Sequence, residues 1–349
     1  MLYNPDFGEF KRRMNAYWER EALERCCVSI TVPKSGYIAP GRHCQYYNTE
    51  EADRALRSSL DNHYRFGETA SFYFPYFGTS GIAEYTGCHV NHTPETAWFE
   101  PWMNDEPDAS LISYRHPEIF QKQKDAISKM IQLSKGDYMV SVSDNAGIVD
   151  ALACIRGSET LLFDMLEEPE FVEEAVQKLL PIYKQTEEEL FDLVKENNQG
   201  CLLLWQLWAP KRLAQMQCDM SVMISNEMFN RFVMPELEEL TSFLDYPLYH
   251  MDGMEQIRHL DSLLSLKNLR AIQWSKVDGQ PRSVEFIPVF QKMQKAGKCL
   301  VMKVEARDVE KLLDNLSCRG LQLIILGIET PEEASEMMKL VEKHSKDRG

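Results

Sequence analysis

Short apolar runs alternate with longer amphipathic stretches along most of the 349-residue chain. The apolar runs are rich in β-branched and aliphatic residues, as expected of buried parallel strands. The predicted strands are 27–32, 71–74, 138–142, 201–206, 247–250, 269–274, 299–304 and 321–326. The predicted helices are 49–65, 115–134, 167–197, 225–244, 254–266, 284–296, 307–316 and 331–344.

Eight strands alternating with eight helices predict a single-domain (β/α)8 TIM barrel over residues 1–349. A doubly wound open sheet is the competing α/β fold. The segment after the first strand, VSITVPKSGY, lacks the glycine-rich phosphate loop that such a sheet would be expected to carry. The barrel is therefore the favoured architecture.

One connection between predicted elements does not follow this alternation of strands and helices. Residues 75–114, after the second strand, are rich in aromatic residues and glycine and show no clear periodicity. Long loops in compact domains are often functional, so we expect a capping insertion over the barrel mouth, with Tyr76 as a candidate substrate contact. Cys88, His89 and His92 match no zinc template, which favours a polar loop over a metal site.

Charge and composition narrow the class of protein. The formal net charge of -16 disfavours nucleic acid and anionic membrane surfaces as partners. The chain has neither a signal-peptide pattern nor an apolar run long enough for a membrane span. Its nine cysteines are scattered without a CxxC pair, so we expect a cytoplasmic protein with reduced thiols.

Reactive groups of such barrels lie at the carboxyl ends of the strands. In PLYHMDG, Leu248, His250 and Asp252 share one face, so an apolar position gives way to His and Asp at the rim. A His-x-Asp pair can bind a metal or act as a general acid and base. A structural histidine with a satisfied hydrogen bond is the alternative interpretation.

Other strand ends add candidates. Lys303 and Glu305 face the predicted lumen, either as functional groups or as a structural ion pair. Asp144 ends the third strand, where an acid can also cap the following helix. Aromatic and amide side chains near strand ends are candidate pocket walls or simply core: Trp205, Gln206, Trp208 and Trp274.

Two longer stretches resemble the uroporphyrinogen decarboxylase superfamily. In the segment that includes Asp144, residues 150–157 match "D-x-L-x-x-x-R-G", and residues 219–235 match "D-x-x-x-x-I-S-P-x-x-F-x-x-F-V-x-P" except that Asn226 replaces proline. The YHMDG strand end falls at the family's "H-x-x-G". The resemblance spans roughly 70–345 and implies a (β/α)8 barrel related to haem-pathway decarboxylases and zinc-dependent methyltransferases that work with corrinoid proteins or methylated thiols.

Departures from the family pattern separate these branches. The decarboxylase signature "R-Q-A-G-R-Y" is missing, so decarboxylation of uroporphyrinogen itself is not expected. The methyltransferases bind zinc with "H-x-C" and a later cysteine, whereas this chain has Asp252 after His250 and no cysteine in LIILGIE. The resemblance then implies a metal site of His250, Asp252 and either Glu305 or Glu329.

The favoured hypothesis is a methyltransferase acting on a small molecule, with zinc at the barrel mouth and a corrinoid protein as partner. One alternative is a metal-free decarboxylase or lyase of a small acid, in which Lys303 and Asp144 bind and protonate the reacting group. The other is a non-catalytic barrel that binds a small molecule. A homodimer is expected only by analogy with the family.

Overall fold

The computed structural model describes residues 1–37, 47–93, 96–143, 145 and 147–348. The strands are β1 Cys27–Pro33, β2 His63–Gly67, β3 Phe72–Tyr73, β4 His89–His92, β5 Ala97–Glu100, β6 Met139–Val140, β7 Cys201–Leu203, β8 Leu207–Ala209, β9 Leu213–Met216, β10 Tyr246–Asp252, β11 Ala271–Ser275, β12 Cys299–Glu305 and β13 Leu321–Leu326.

The helices are α1 Phe7–Trp18, α2 Thr49–Asp61, α3 Gly81–Thr86, α4 Pro117–Ser134, α5 Ile148–Arg156, α6 Ser158–Glu167, α7 Pro169–Asn198, α8 Asn226–Met228, α9 Met234–Phe243, α10 Leu260–Ser265, α11 Ile287–Lys295, α12 Val309–Asn315 and α13 Pro331–His344. A π-helical turn, Phe229–Val233, joins α8 to α9. Short 3-10 helices are Ala109–Leu111, Asp219–Met223, Met254–His259, Ser283–Phe286 and Ala306–Asp308.

Seven strands form the largest sheet, in the order β2-β1-β13-β12-β11-β10-β9. All neighbours in it are parallel except β1 and β2. Strands β3 and β6 form a separate parallel pair. The predicted α/β class is therefore confirmed. Among the described residues, no backbone hydrogen-bond ladder joins the seven-stranded sheet to the β3–β6 pair. The closed eight-stranded barrel therefore stays a prediction.

Two sequence-based boundaries were wrong. The helix predicted over 49–65 ends at Asp61, and the next residues form β2, which covers the edge of β1. Gly67 ends this strand with φ +65°, where a Cβ atom would lie 2.2 Å from the carbonyl oxygen of Val28. Only glycine tolerates both that backbone conformation and that close approach, so the edge pairing requires it.

The predicted strand over 201–206 is also shorter and differently paired. Strand β7 turns back through Gln206, at φ +61°, into the antiparallel β8, and β9 then takes the place beside β10. The Gln206 side chain accepts a hydrogen bond from the Ala70 N–H at 2.7 Å. Gln206 is thus a turn residue that ties this hairpin to the segment before β3.

Side-chain alternation in the sheet follows the prediction. Tyr249 and Met302 belong to one hydrophobic cluster, whereas Leu248 and Val301 belong to the other. Successive residues of a strand point to opposite faces, so His250 lies on the face of Leu248. The position of this histidine follows directly from the register of β10.

The predicted insertion over 75–114 contains α3, the β4–β5 hairpin and a short 3-10 helix. A buried arginine anchors it: Arg156 donates to the carboxylate of Asp164 at 2.7 and 3.0 Å and to the carbonyl oxygens of Met103 and Asp105 at 2.6 and 2.7 Å. The arginine of the "D-x-L-x-x-x-R-G" motif therefore joins the insertion to α5 and α6.

None of the described helices combines the length and the apolarity needed to cross a bilayer.

We expect Arg156→Ala to lower the free energy of unfolding by about 3–5 kcal/mol, because it leaves the buried Asp164 carboxylate without its partner. Arg231→Ala, which removes a half-exposed pair with Glu173, should change it by no more than about 1 kcal/mol. Urea unfolding of both variants measures the difference. Equal effects of the two substitutions would contradict the anchoring role.

Candidate functional site

Three potential metal ligands meet at the carboxyl ends of two adjacent strands. His250 and Asp252 end β10, and Asp219 begins the 3-10 helix that follows β9. One ligand atom from each lies within 4.8 Å of the others, and His250 Nε2 is 4.0 Å from Asp252 Oδ1. Parallel strands bring their carboxyl ends to one edge, which is why residues distant in sequence converge here.

The neighbouring strand orients the imidazole. His250 and Gln273 are register partners of β10 and β11, and His250 Nδ1 contacts Gln273 Oε1. The Gln273 amide is held in turn, because its Nε2 donates to Ser275 Oγ at 3.1 Å. An amide oxygen only accepts, so Nδ1 is the donor in this contact, and Nε2 is the ring nitrogen that faces Asp252.

A chain of polar side chains links an aromatic wall to Asp219. The Trp205 ring stacks on His250 with centroids 5.4 Å apart and an interplanar angle of 17°. Trp205 Nε1 donates to Gln215 at 2.5 Å, Gln215 donates to Gln217 at 2.6 Å, and Gln217 donates to Asp219 Oδ2 at 3.2 Å. The orientation of Asp219 is therefore coupled to the ring that covers His250.

Lys303 also lies here, with its ammonium nitrogen 5.0 Å from the Trp205 ring centroid. Among the predicted site residues, the structure thus brings together His250, Asp252, Trp205 and Lys303.

Asp150 supports the site from α5, and our sequence analysis did not single it out. Its carboxylate accepts the backbone N–H groups of Asp219 at 2.9 Å and Met220 at 3.0 Å. Burial raises the pKa of Asp150, while these two backbone hydrogen bonds oppose the shift. Asp150 and Asp219 are the first residues of the two motifs quoted above, so the motifs already contained a signal for both.

The start of α5 packs closely on the segment that leads to Asp219. A Cβ atom on Gly147 would lie 1.9 Å from the carbonyl oxygen of Gln217. A second buried acid, Glu236, accepts the Val149 N–H at 3.1 Å. Burial and, to a lesser extent, the Asp150 carboxylate raise the pKa of Glu236 well above its usual range.

Other predicted site residues lie elsewhere. Glu305 is exposed at the end of β12, and Glu329 is exposed near the start of α13, where its N–H donates to the Glu333 carboxylate. Neither joins the group of three ligands found among the described residues. Tyr76 is half-buried, 6.4 Å from the ring of Phe74. Asp144 is outside the described residues.

Two of the predicted aromatic walls are core residues. The Trp208 indole N–H donates to the carbonyl oxygen of Asn198 at 3.0 Å, and its ring packs on Phe7. Trp274 is buried against Phe286 and Phe290 of the helix layer, with ring centroids 5.1 and 5.3 Å away. Both tryptophan side chains therefore pack between the sheet and the helices.

The donor set contains no thiolate. None of the eight described cysteines joins the group of potential ligands. Cys218, which precedes Asp219, is buried, and burial raises the pKa of its thiol well above the usual range. A second group lies between α12 and α13, where both ring nitrogens of His344 face carboxylates, Asp314 at 2.8 Å and Glu310 at 3.5 Å.

A pocket of about 520 Å³ opens between the insertion and α5, beside Asp219 of the group that contains His250 and Asp252. Asp150, Gln217 and Asp219 form its polar part. Its apolar walls include Trp98, Phe99, Met220 and Met223. Asp219 belongs both to this pocket and to the ligand group, whereas His250 and Asp252 are not among the described residues that line the pocket.

Neither the models of known protein families nor the curated proteins include a match to this sequence. Among solved structures, a methyltransferase from Methanosarcina mazei is similar, with a TM-score of 0.60 over 96% of this chain and 98% of that chain. The two sequences are 13% identical. At that identity the similarity establishes a shared fold over nearly the whole length of both proteins.

The buried Glu236 predicts how stability depends on pH. A carboxyl whose pKa is higher in the folded than in the unfolded protein destabilises the fold as pH rises above the unfolded value. Glu236→Gln keeps an acceptor for Val149 and removes the charge. Its free energy of unfolding should therefore exceed that of the wild type at about pH 8, with the difference shrinking toward about pH 4.5.

Urea unfolding across this pH range measures the effect. Glu239→Gln, on the exposed side of the same helix, is the control. Because Lys184 lowers the pKa of Glu239, this variant should be slightly less stable than the wild type at about pH 8, a smaller difference of the opposite sign that also shrinks toward low pH. A Glu236→Gln variant that is less stable than the wild type at high pH would contradict the cause assigned to the shifted pKa.

Proposed function

We propose that this protein is a methyltransferase of the uroporphyrinogen decarboxylase superfamily, a (β/α)8 barrel that acts on a small molecule. In this proposal, Asp219, His250 and Asp252 hold a metal ion, and a corrinoid protein is the partner in methyl transfer. The convergence of these three side chains carries the proposal. The motif resemblance and the fold shared with the Methanosarcina mazei methyltransferase support it.

The chemistry of the donor set fits a divalent metal. Imidazole nitrogen and carboxylate oxygen are ligands of zinc, and two atoms that each lie about 2.1 Å from one ion are at most about 4.2 Å apart. The 4.0 Å between His250 Nε2 and Asp252 Oδ1 is within that limit, and the three ligand atoms lie within 4.8 Å of one another, so small side-chain shifts would bring all three to one ion. Three protein ligands leave a position for substrate, where the ion would act as a Lewis acid on an oxygen or sulfur atom.

The surrounding residues have distinct roles in this proposal. Gln273 fixes the tautomer of His250, and Trp205 covers one face of its ring. Asp150 holds the backbone at Asp219, which replaces Glu305 or Glu329 as the third ligand. Such outer partners orient the ligands and keep the site in one geometry before substrate binds.

One observation favours a second candidate, the decarboxylase or lyase of a small acid. Lys303 places an ammonium group near Trp205, and a cation of this kind can bind a substrate carboxylate. Release of carbon dioxide from a small acid without added metal, abolished by Lys303→Met, would favour it. Activity that requires metal and survives Lys303→Met would exclude it.

Metal content tests the ligand assignment. After purification and equilibration with zinc, the wild type should retain one ion, whereas His250→Ala, Asp252→Asn and Asp219→Asn should each lose it. His116→Ala, at an exposed histidine paired with Glu118, is the control and should retain it. Loss of the ion in His344→Ala instead of His250→Ala would contradict the assignment, because it would place the metal between α12 and α13.

Activity tests the reaction class. We expect the metal-loaded protein to catalyse methyl transfer between methylcobalamin and a small thiol, followed by the change in cobalamin absorbance. Gln273→Leu should lower kcat/KM by about 10–100-fold, as removal of an outer partner does, and His250→Ala should lower it further. A metal-loaded wild type that gives no transfer with free cobalamin or with a corrinoid protein would contradict the proposal.

A further inference from the structure

A buried amide side chain connects the two segments that carry Asp219 and Asp252. Gln256, in the 3-10 helix Met254–His259, is completely buried. Its Oε1 accepts the Asp252 N–H at 3.1 Å, and its Nε2 donates to the carbonyl oxygen of Cys218 at 3.1 Å. One side chain therefore contacts the backbone of one proposed ligand and the residue immediately before another.

The bond to Asp252 has a local explanation, whereas the bond to Cys218 does not. Glutamine at the third position of a helix often bonds the backbone at the start of that helix, and Gln256 holds that position after the N-cap Gly253. Cys218 lies 38 residues earlier, just before the 3-10 helix that begins with Asp219. The second bond therefore links two separate elements.

His259 makes a second link in the same direction. It is also completely buried, and it follows Gln256 by three residues, a spacing that places side chains above one another on a 3-10 helix. Its Nε2 donates to the carbonyl oxygen of Ser221 at 2.9 Å, and its ring stacks on Phe229 with centroids 4.3 Å apart. The helix after β10 is thus bonded at two successive turns to the helix after β9.

The peptide that leads into Asp219 is held at both ends. The carbonyl of Cys218 and the N–H of Asp219 belong to one planar peptide unit, in which the two groups point in opposite directions. Gln256 donates to the carbonyl, and the Asp150 carboxylate accepts the N–H at 2.9 Å. Because both groups are bonded, the backbone that carries the Asp219 side chain has little freedom to rotate.

We propose that Gln256 is a positioning residue that sets the separation of Asp219 and Asp252 before a metal ion binds. The part that concerns the metal rests on the proposed function, whereas the link between the two segments is a property of the metal-free protein. Partners of this kind keep ligands in one geometry, so their loss lowers metal affinity.

Gln294 offers a matched control. It is buried on α11, and its side chain likewise donates to one backbone carbonyl and accepts one backbone N–H, both of Ser317. Methionine is also unbranched and of similar length, but it forms neither bond. Gln256→Met and Gln294→Met should therefore lose similar free energy of unfolding in urea, so that any other difference between them reports position.

Hydrogen exchange of the metal-free protein tests the link. The N–H groups of Asp219 and Met220 are bonded to Asp150, so they do not lose their own acceptor in Gln256→Met. Exchange of the peptide 217–223, followed by mass spectrometry, should nevertheless become about tenfold faster in this variant. It should change by no more than about twofold in Gln294→Met.

A milder variant covers the case in which Gln256→Met does not fold. Gln256→Asn keeps the amide but is one methylene shorter, so it cannot reach both partners. It should give a smaller increase in exchange over 217–223. Unchanged exchange in the Gln256 variants, or an equal increase in Gln294→Met, would overturn the link between the segments.

Zinc affinity tests the consequence for the metal. In competition with a chelating dye, Gln256→Met should weaken zinc binding by about 10–100-fold, whereas Gln294→Met should change it by less than about threefold. Equal zinc affinity of Gln256→Met and the wild type would overturn the positioning role.

The two readouts separate this inference from the proposed function. If the wild type binds no zinc, the proposed function fails, and exchange over 217–223 decides whether Gln256 links the two segments. If the wild type binds zinc but Gln256→Met changes neither exchange nor affinity, the inference fails and the proposed function stands.

Discussion

The parallel alignment of β9, β10 and β11 is the constraint on which the candidate site depends. Their register places His250 beside Gln273 and Asp252 beside Ser275, and it brings the end of β9 to the same edge of the sheet. A shift of one residue in β10 would turn His250 toward the helices. The buried apolar residues of β10 oppose such a shift, because they would lose their packing against α-helices.

Two buried carboxylates fix the positions of the segments at this edge of the sheet, and their burial lowers the stability of the fold. Asp150 and Glu236 are both buried, both have raised pKa values, and each accepts backbone N–H groups at a junction between elements. Carboxylates in such places destabilise a fold unless they hold something in position. Here Asp150 holds Asp219, and Glu236 holds the start of α5, against which the Asp219 segment packs.

Sequence patterns predicted the long buried strands well because each is a continuous apolar run. Strands β12 and β13 agree with prediction to within one residue at either end. The patterns failed for β2 and for the β7–β8–β9 region, where short strands are set by pairing across the sheet and by single turn residues such as Gln206. Tertiary contacts override local preference in segments this short.

The sequence could indicate the strand end at which the candidate site lies, but not all of the residues that form it. Alternation placed His250 and Asp252 correctly on one face, and the same rule should have put Trp274 opposite Gln273, on the helix side. Asp219 and Asp150 become linked only through hydrogen bonds between separate elements, which periodicity does not reveal. The family resemblance implied Glu305 or Glu329 as the third ligand, yet neither joins the ligand group found among the described residues.

The central claim is a metal centre built from nitrogen and oxygen ligands alone. X-ray absorption spectroscopy of the zinc-loaded protein tests it most directly, since the nearest shell of scatterers reports ligand type. The account predicts only nitrogen and oxygen atoms at about 2.0–2.2 Å from the zinc. A sulfur scatterer at about 2.3 Å would show that a cysteine binds the ion and would contradict the account.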